Sequence, residues 1–156
     1  MPRLALVALL LLLAGCGAEA VSAPPKAKPG RAAGDHAAIQ ARVAAYMKHM
    51  LAGEGEQACA QFTPEYRRDM DTRAADAGYI DCAAVLAGFG TIASAGESEA
   101  YLREAAKPER VIVLLQGDRA QASVMSPRGT LSGSRTALRR VGTRWLIDEL
   151  GVSRTG

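Results

Sequence analysis

From Asp35 onward the chain carries two successive hydrophobic rhythms. Ile39, Val43, Tyr46, Met47, Met50 and Leu51 recur at steps of three and four, the stripe of an amphipathic helix. Asp35 stands in front of that stripe as an N-cap, and Gly53 and Gly55 close it. A short helical turn over Glu56–Phe62 carries Cys59. Thr63-Pro64-Glu65 then restarts a helix: threonine caps, proline suits the first helical position, and glutamate faces the positive end of the helix. That helix runs to about Ala75, and Gly78 breaks it. A third begins near Asp81, carries Cys82, Val85, Leu86 and Phe89, and stops before Ala95, weakened by Gly88 and Gly90. Glu97–Ala106 adds a loose helical turn.

After Pro108 the rhythm changes to short β-branched and alternating runs. Arg110–Gln116, Arg119–Ser126, Leu131–Val141 and Arg144–Leu150 read as four strands. Gly117-Asp118, Pro127-Arg128-Gly129 and Gly142-Thr143 supply the turns between them. Trp145 and Ile147 share one face of the last strand, with Leu146 and Asp148 on the other. Helices first and an antiparallel meander afterwards make an α+β domain over 35–151, with the helices on one face of a curved four-stranded sheet. Trp145 is expected to pack on the stripe of Ile39, Val43 and Met47, and 152–156 to form a loose tail.

The N-terminal segment follows neither rhythm. Arg3 precedes an unbroken apolar run from Leu4 to Ala14, too short to span a bilayer comfortably, since a spanning helix needs about 20 apolar residues. With small residues behind it, the run reads as an export signal over 1–15. Leu13-Ala14-Gly15-Cys16 resembles the lipobox of bacterial lipoproteins. The resemblance implies cleavage before Cys16 and a diacylglyceryl thioether on its sulfur, which would hold the protein on the outer side of the cell membrane. A secreted protein with an incidental cysteine is the alternative. Pro24-Pro25, Lys26, Lys28 and Pro29 mark 16–34 as a flexible tether.

Composition narrows the chemistry. Of three cysteines, lipidation would use Cys16, leaving Cys59 and Cys82 as an even pair in an oxidising compartment. We expect them to form a disulfide, with two buried thiols as the alternative. A net charge of +3 and an aromatic share of 4% leave few stacking surfaces for bases, so no nucleic-acid partner is expected. There is no asparagine and hence no N-glycosylation sequon.

The order of elements is similar to that of the nuclear-transport-factor-2-like, or cystatin-like, cone, and most closely to small actinobacterial lipoproteins of that superfamily. The residues that carry the likeness are the leading helix Ile39–Leu51, Ala58-Cys59 to Phe62-Thr63-Pro64-Glu65, Cys82, and the closing Gly142-Thr143-Arg144-Trp145-Leu146-Ile147-Asp148. The likeness spans Asp35–Gly151. It implies a sheet curled around the first helices with a pocket at its open end, in a superfamily holding isomerases, hydrolases, dehydratases and simple binding proteins.

A reactive constellation is harder to find. His36 and His49 lie thirteen residues apart on one helix, about 220° around its axis, and cannot share a metal. No metal-binding or cofactor motif is present. Gly129-Thr130-Leu131-Ser132-Gly133 superficially matches a nucleophile elbow, but its serine is one position out. Asp148 and Glu149 are adjacent and point to opposite faces, so at most one can enter a pocket. Asp69, Asp71 and Asp76 read as solvated helix residues. Tyr46, Tyr66, Trp145 and Asp148 are the candidate pocket residues, although Tyr46 and Trp145 are as simply read as core. Arg135, Arg139, Arg140 and Arg144 make the last two strands basic, either a solvated face or a contact for anionic head groups. Three functions follow: a membrane-anchored, non-enzymatic domain binding a small apolar ligand or an envelope protein, an isomerase or hydrolase using a pocket acid such as Asp148, or an accessory subunit of an envelope complex.

Overall fold

The computed structural model describes residues 29–93, 97–126 and 128–152. Helices α1 (Pro29–Leu51), α2 (Gly55–Cys59), α3 (Pro64–Asp76), α4 (Cys82–Ala93) and α5 (Glu97–Ala105) precede strands β1 (Val111–Gln116), β2 (Arg119–Met125), β3 (Leu131–Val141) and β4 (Arg144–Val152). The strands form one antiparallel meander in the order β1-β2-β3-β4. The domain is therefore α+β, helices followed by sheet. The expected signal, Cys16 and tether residues up to 28 lie outside the described residues, as do 153–156 of the expected tail.

Most boundaries fall where local chemistry puts them. Thr63 caps α3 by accepting from the Tyr66 backbone N–H at 3.2 Å, with Pro64 opening the helix. Gly117 and Gly142 sit at the tips of the first and third hairpins with φ of 62° and 61°, a region few side chains tolerate. β4 continues to Val152, two residues beyond Leu150, because Gly151 and Val152 still pair with Arg135 and Ser134.

The start of α1 corrects the sequence reading. The helix opens at Pro29 instead of Asp35, so the segment expected to be tether up to 34 is helical from Pro29. Proline suits a first helical turn, and the alanines behind it propagate the helix. Asp35 does not cap. It accepts from the Trp145 indole Nε1 at 3.1 Å and pairs with Arg140.

The core lies between α1 and the sheet. Ile39 and Val43 are fully buried against Trp145 and Ile147 from β4, Leu138 from β3 and Val111 from β1. α4 is drawn tightly onto α1 and α2. A Cβ at Gly55 would lie 1.9 Å from the Ala83 carbonyl oxygen, and one at Gly90 2.4 Å from that of Met50. The Cys59–Cys82 disulfide joins α2 to α4, and both cysteines are fully buried.

β4 has its outer edge covered. Thr63 N–H donates to the Ile147 carbonyl at 2.7 Å, and Ile147 N–H donates to the Gln61 carbonyl at 2.9 Å, a short parallel bridge through Phe62. Further along, the Leu150 N–H donates to the Tyr66 hydroxyl at 3.1 Å. With this cover, Trp145, Leu146 and Ile147 are all buried, although their side chains alternate between faces.

Candidate functional site: an apolar cavity between the helices and the sheet end

A cavity of about 450 Å³ lies between the helices and the β2–β4 end of the sheet. Such a volume falls in the range of roughly 300–1,000 Å³ usual for small-molecule sites. α1 contributes Tyr46, Met47 and Met50, one face of its C-terminal half. α3 adds Met70, α4 adds Val85, Leu86 and Phe89, and α5 adds Tyr101 and Leu102. Val124, Arg135, Thr136, Leu150 and Gly151 close it from the strands. Three of the chain's five methionines line this one space. Their unbranched, polarisable side chains let a wall reshape around guests of different outline.

Its polar residues are Tyr46, Tyr101, Arg135 and Thr136, and among the described residues no carboxylate or histidine lines it. Burial pushes the Tyr46 phenol well above its ordinary pKa, with Tyr66 and Tyr101 adding smaller effects in the same direction. It therefore stays neutral and can only donate or accept a hydrogen bond. The site can hold an apolar body and orient one polar group.

Of the four residues expected at a pocket, only Tyr46 lines this cavity. Tyr66 packs edge-on against Phe62, ring centroids 4.9 Å apart, while its hydroxyl holds the edge of β4. Trp145 is buried to 2% exposure at the Asp35 end of α1, under the Arg140 guanidinium at 4.6 Å from the ring centroid. Asp148 is the extra residue of a β-bulge: Leu138 opposes Ile147 and Ala137 opposes Glu149, leaving it without a partner across β3. It accepts from the Thr63 hydroxyl at 3.0 Å and from Arg139 Nε at 3.2 Å. Asp148 is thus part of an ion-pair cluster and does not line this cavity.

That cluster also changes the reading of the basic strands. Arg139 bridges Asp148 and Glu65, the latter at 2.7 Å, and Asp148 foremost, then Glu65, raises its pKa. The Glu65 carboxyl is held below its usual range, first by its own backbone N–H and then by Arg139. Arg140 is committed to Asp35 and faces Asp118 at 3.2 Å. Arg139 and Arg140 are therefore neutralised within the fold, and only Arg135 and Arg144 remain exposed. His49 pairs with Glu54 at 2.6 Å, and among the described residues no three His, Cys, Asp or Glu side chains converge as a metal set. Asp71, expected to be solvated, accepts from the Cys82 N–H at 2.9 Å and anchors the start of α4.

The chain matches no family model, no curated protein and no solved structure.

Sequence reasoning missed most of the lining. Met47 and Met50 were seen only as part of a core stripe. Met70 carried a usable signal: it is an isolated large apolar residue among the charges of α3, and it is half-buried at the cavity wall.

Proposed function

We propose that this protein is an exported, lipid-anchored protein of the cell envelope whose cone-like domain of the nuclear-transport-factor-2-like kind binds a small apolar ligand without transforming it. The observation that carries the binding reading is the cavity itself, walled mainly by methionine, aromatic and aliphatic side chains, with no carboxylate or histidine among the described residues that line it. The lipobox-like Leu13-Ala14-Gly15-Cys16 supports export and anchoring. The Cys59–Cys82 bond supports an oxidising compartment. Among the described residues no helix is long and apolar enough to cross a membrane, so attachment in this reading rests on Cys16.

The test is a titration with the neutral fluorescent probe N-phenylnaphthylamine. Wild-type protein should give a saturable, one-site enhancement. Val85→Trp places a larger side chain in the cavity from a half-buried position and should weaken binding at least about tenfold, while Asp148→Asn should leave it unchanged. A non-saturable response, or equal responses from wild type and Val85→Trp, would sink the proposal.

A further inference from the structure

The segment Tyr79–Ile92 exposes an unusual concentration of large apolar side chains: Ile80 at 91%, Ile92 at 76%, Phe89 at 60% and Tyr79 at 44%. Phe89 and Ile92 lie on α4, Tyr79 packs near Gly88 of the same helix, and Ile80 follows Tyr79 in the turn that leads into it. Val85, Phe89 and Ile92 follow at helical spacing, and a Cβ at Gly88 would lie 3.6 Å from the Tyr79 ring. Val85 and Phe89 are also walls of the cavity, so the exposed surface runs directly into it. The only charged residue in the segment is Asp81, and its carboxylate is occupied in accepting from the Ala84 N–H at 2.8 Å.

We propose that this surface is the membrane-facing lip of the cavity, and that the ligand is an acyl chain of a bilayer lipid entering over Phe89. The inference rests on the cavity reading above and adds the source of the ligand and its route. An apolar surface that leads inward suits an occupant with a slender apolar part and a larger polar part left outside, which is the build of a membrane lipid. An aromatic and aliphatic lip whose single charge is the hydrogen-bonded Asp81 carboxylate at the start of α4 suits the lipid interface.

The geometry of attachment permits this orientation. α1 runs from Pro29, where the preceding chain enters, to the cavity at Met47 and Met50, about 30 Å along its axis. The dozen residues between Cys16 and Pro29 can reach about 40 Å when extended, so a domain held through Cys16 can turn its lip to the bilayer.

The test uses protein attached through Cys16, the one thiol outside the Cys59–Cys82 bond, to phosphatidylcholine–phosphatidylglycerol vesicles bearing a thiol-reactive lipid. This coupling is independent of whether cells lipidate the chain. Phe89→Trp adds a reporter at the lip, and buried Trp145 at the far end of α1 is the internal control. With brominated acyl chains in the vesicles, the added emission should fall by at least about half and the wild-type emission should not change. Adding Ile92→Asp to the reporter variant should abolish the quenching. Equal emission with brominated and plain lipid would overturn the proposal. Phenylnaphthylamine binding without quenching would overturn docking and leave the cavity reading standing. Quenching without probe binding would overturn acyl-chain entry and the cavity reading together.

Discussion

Trp145→Ala is expected to destabilise the domain by about 3–5 kcal/mol, the usual loss for removing a large buried aromatic. The indole is at 2% exposure and fills the space between β4 and the Asp35 end of α1. Truncation opens a cavity there and also strips Asp35 of an indole donor and Arg140 of the ring it lies over. Trp145→Phe separates these effects. It keeps most of the ring volume and loses the Nε1–Asp35 hydrogen bond, a bond to a carboxylate that should cost about 1.5–3 kcal/mol. Chemical denaturation of the three proteins measures both. Native emission should be blue-shifted and move to longer wavelength on unfolding. A red native spectrum with a near-neutral Trp145→Ala would mean that the final strand presents its other face to the core.

The second large effect belongs to the disulfide. Removing the Cys59–Cys82 link, with its separation of 23 residues, should lower stability by about 3 kcal/mol in the chain-entropy description. For a domain of this size that corresponds to a melting temperature lower by roughly 10 °C. The close contacts of Gly55 with Ala83 and of Gly90 with Met50 survive the loss of the bond, so the folded state should persist at room temperature. The Cys59→Ala/Cys82→Ala double variant and the reduced wild type should behave alike. Because α4 supplies Val85, Leu86 and Phe89 to the cavity, both should also bind phenylnaphthylamine more weakly. An unchanged melting temperature under strong reductant, or two alkylatable thiols at these positions in exported protein, would contradict the linkage.

What could be read in advance follows the range of the interactions involved. Thr63-Pro64-Glu65 marks the start of α3 because capping is decided within four residues. Gly117 and Gly142 mark hairpins because their backbone angles allow few other residues. Cys59 and Cys82 were legible from parity and compartment. Asp35 was misread because its local preference for capping yields to Trp145 and Arg140, which arrive more than a hundred residues later in the chain. Tyr66 and Asp148 lie away from the cavity for a related reason. A period of two cannot show that β4 carries a bulge, nor that the segment 61–63 lies along its edge. The cavity was least legible of all. Nothing in the spacing of Met47, Met50 and Met70 distinguishes a side chain that meets another across a filled core from one that meets an open space.

The most direct test of the account is native mass spectrometry of the protein extracted from the membranes of bacterial cells that make the full chain. The predicted spectrum shows a chain beginning at Cys16 with a covalent diacylglyceryl group, together with a non-covalent apolar adduct that is absent from Val85→Trp. A chain retaining Met1–Gly15, with no acyl mass and no adduct, would contradict it.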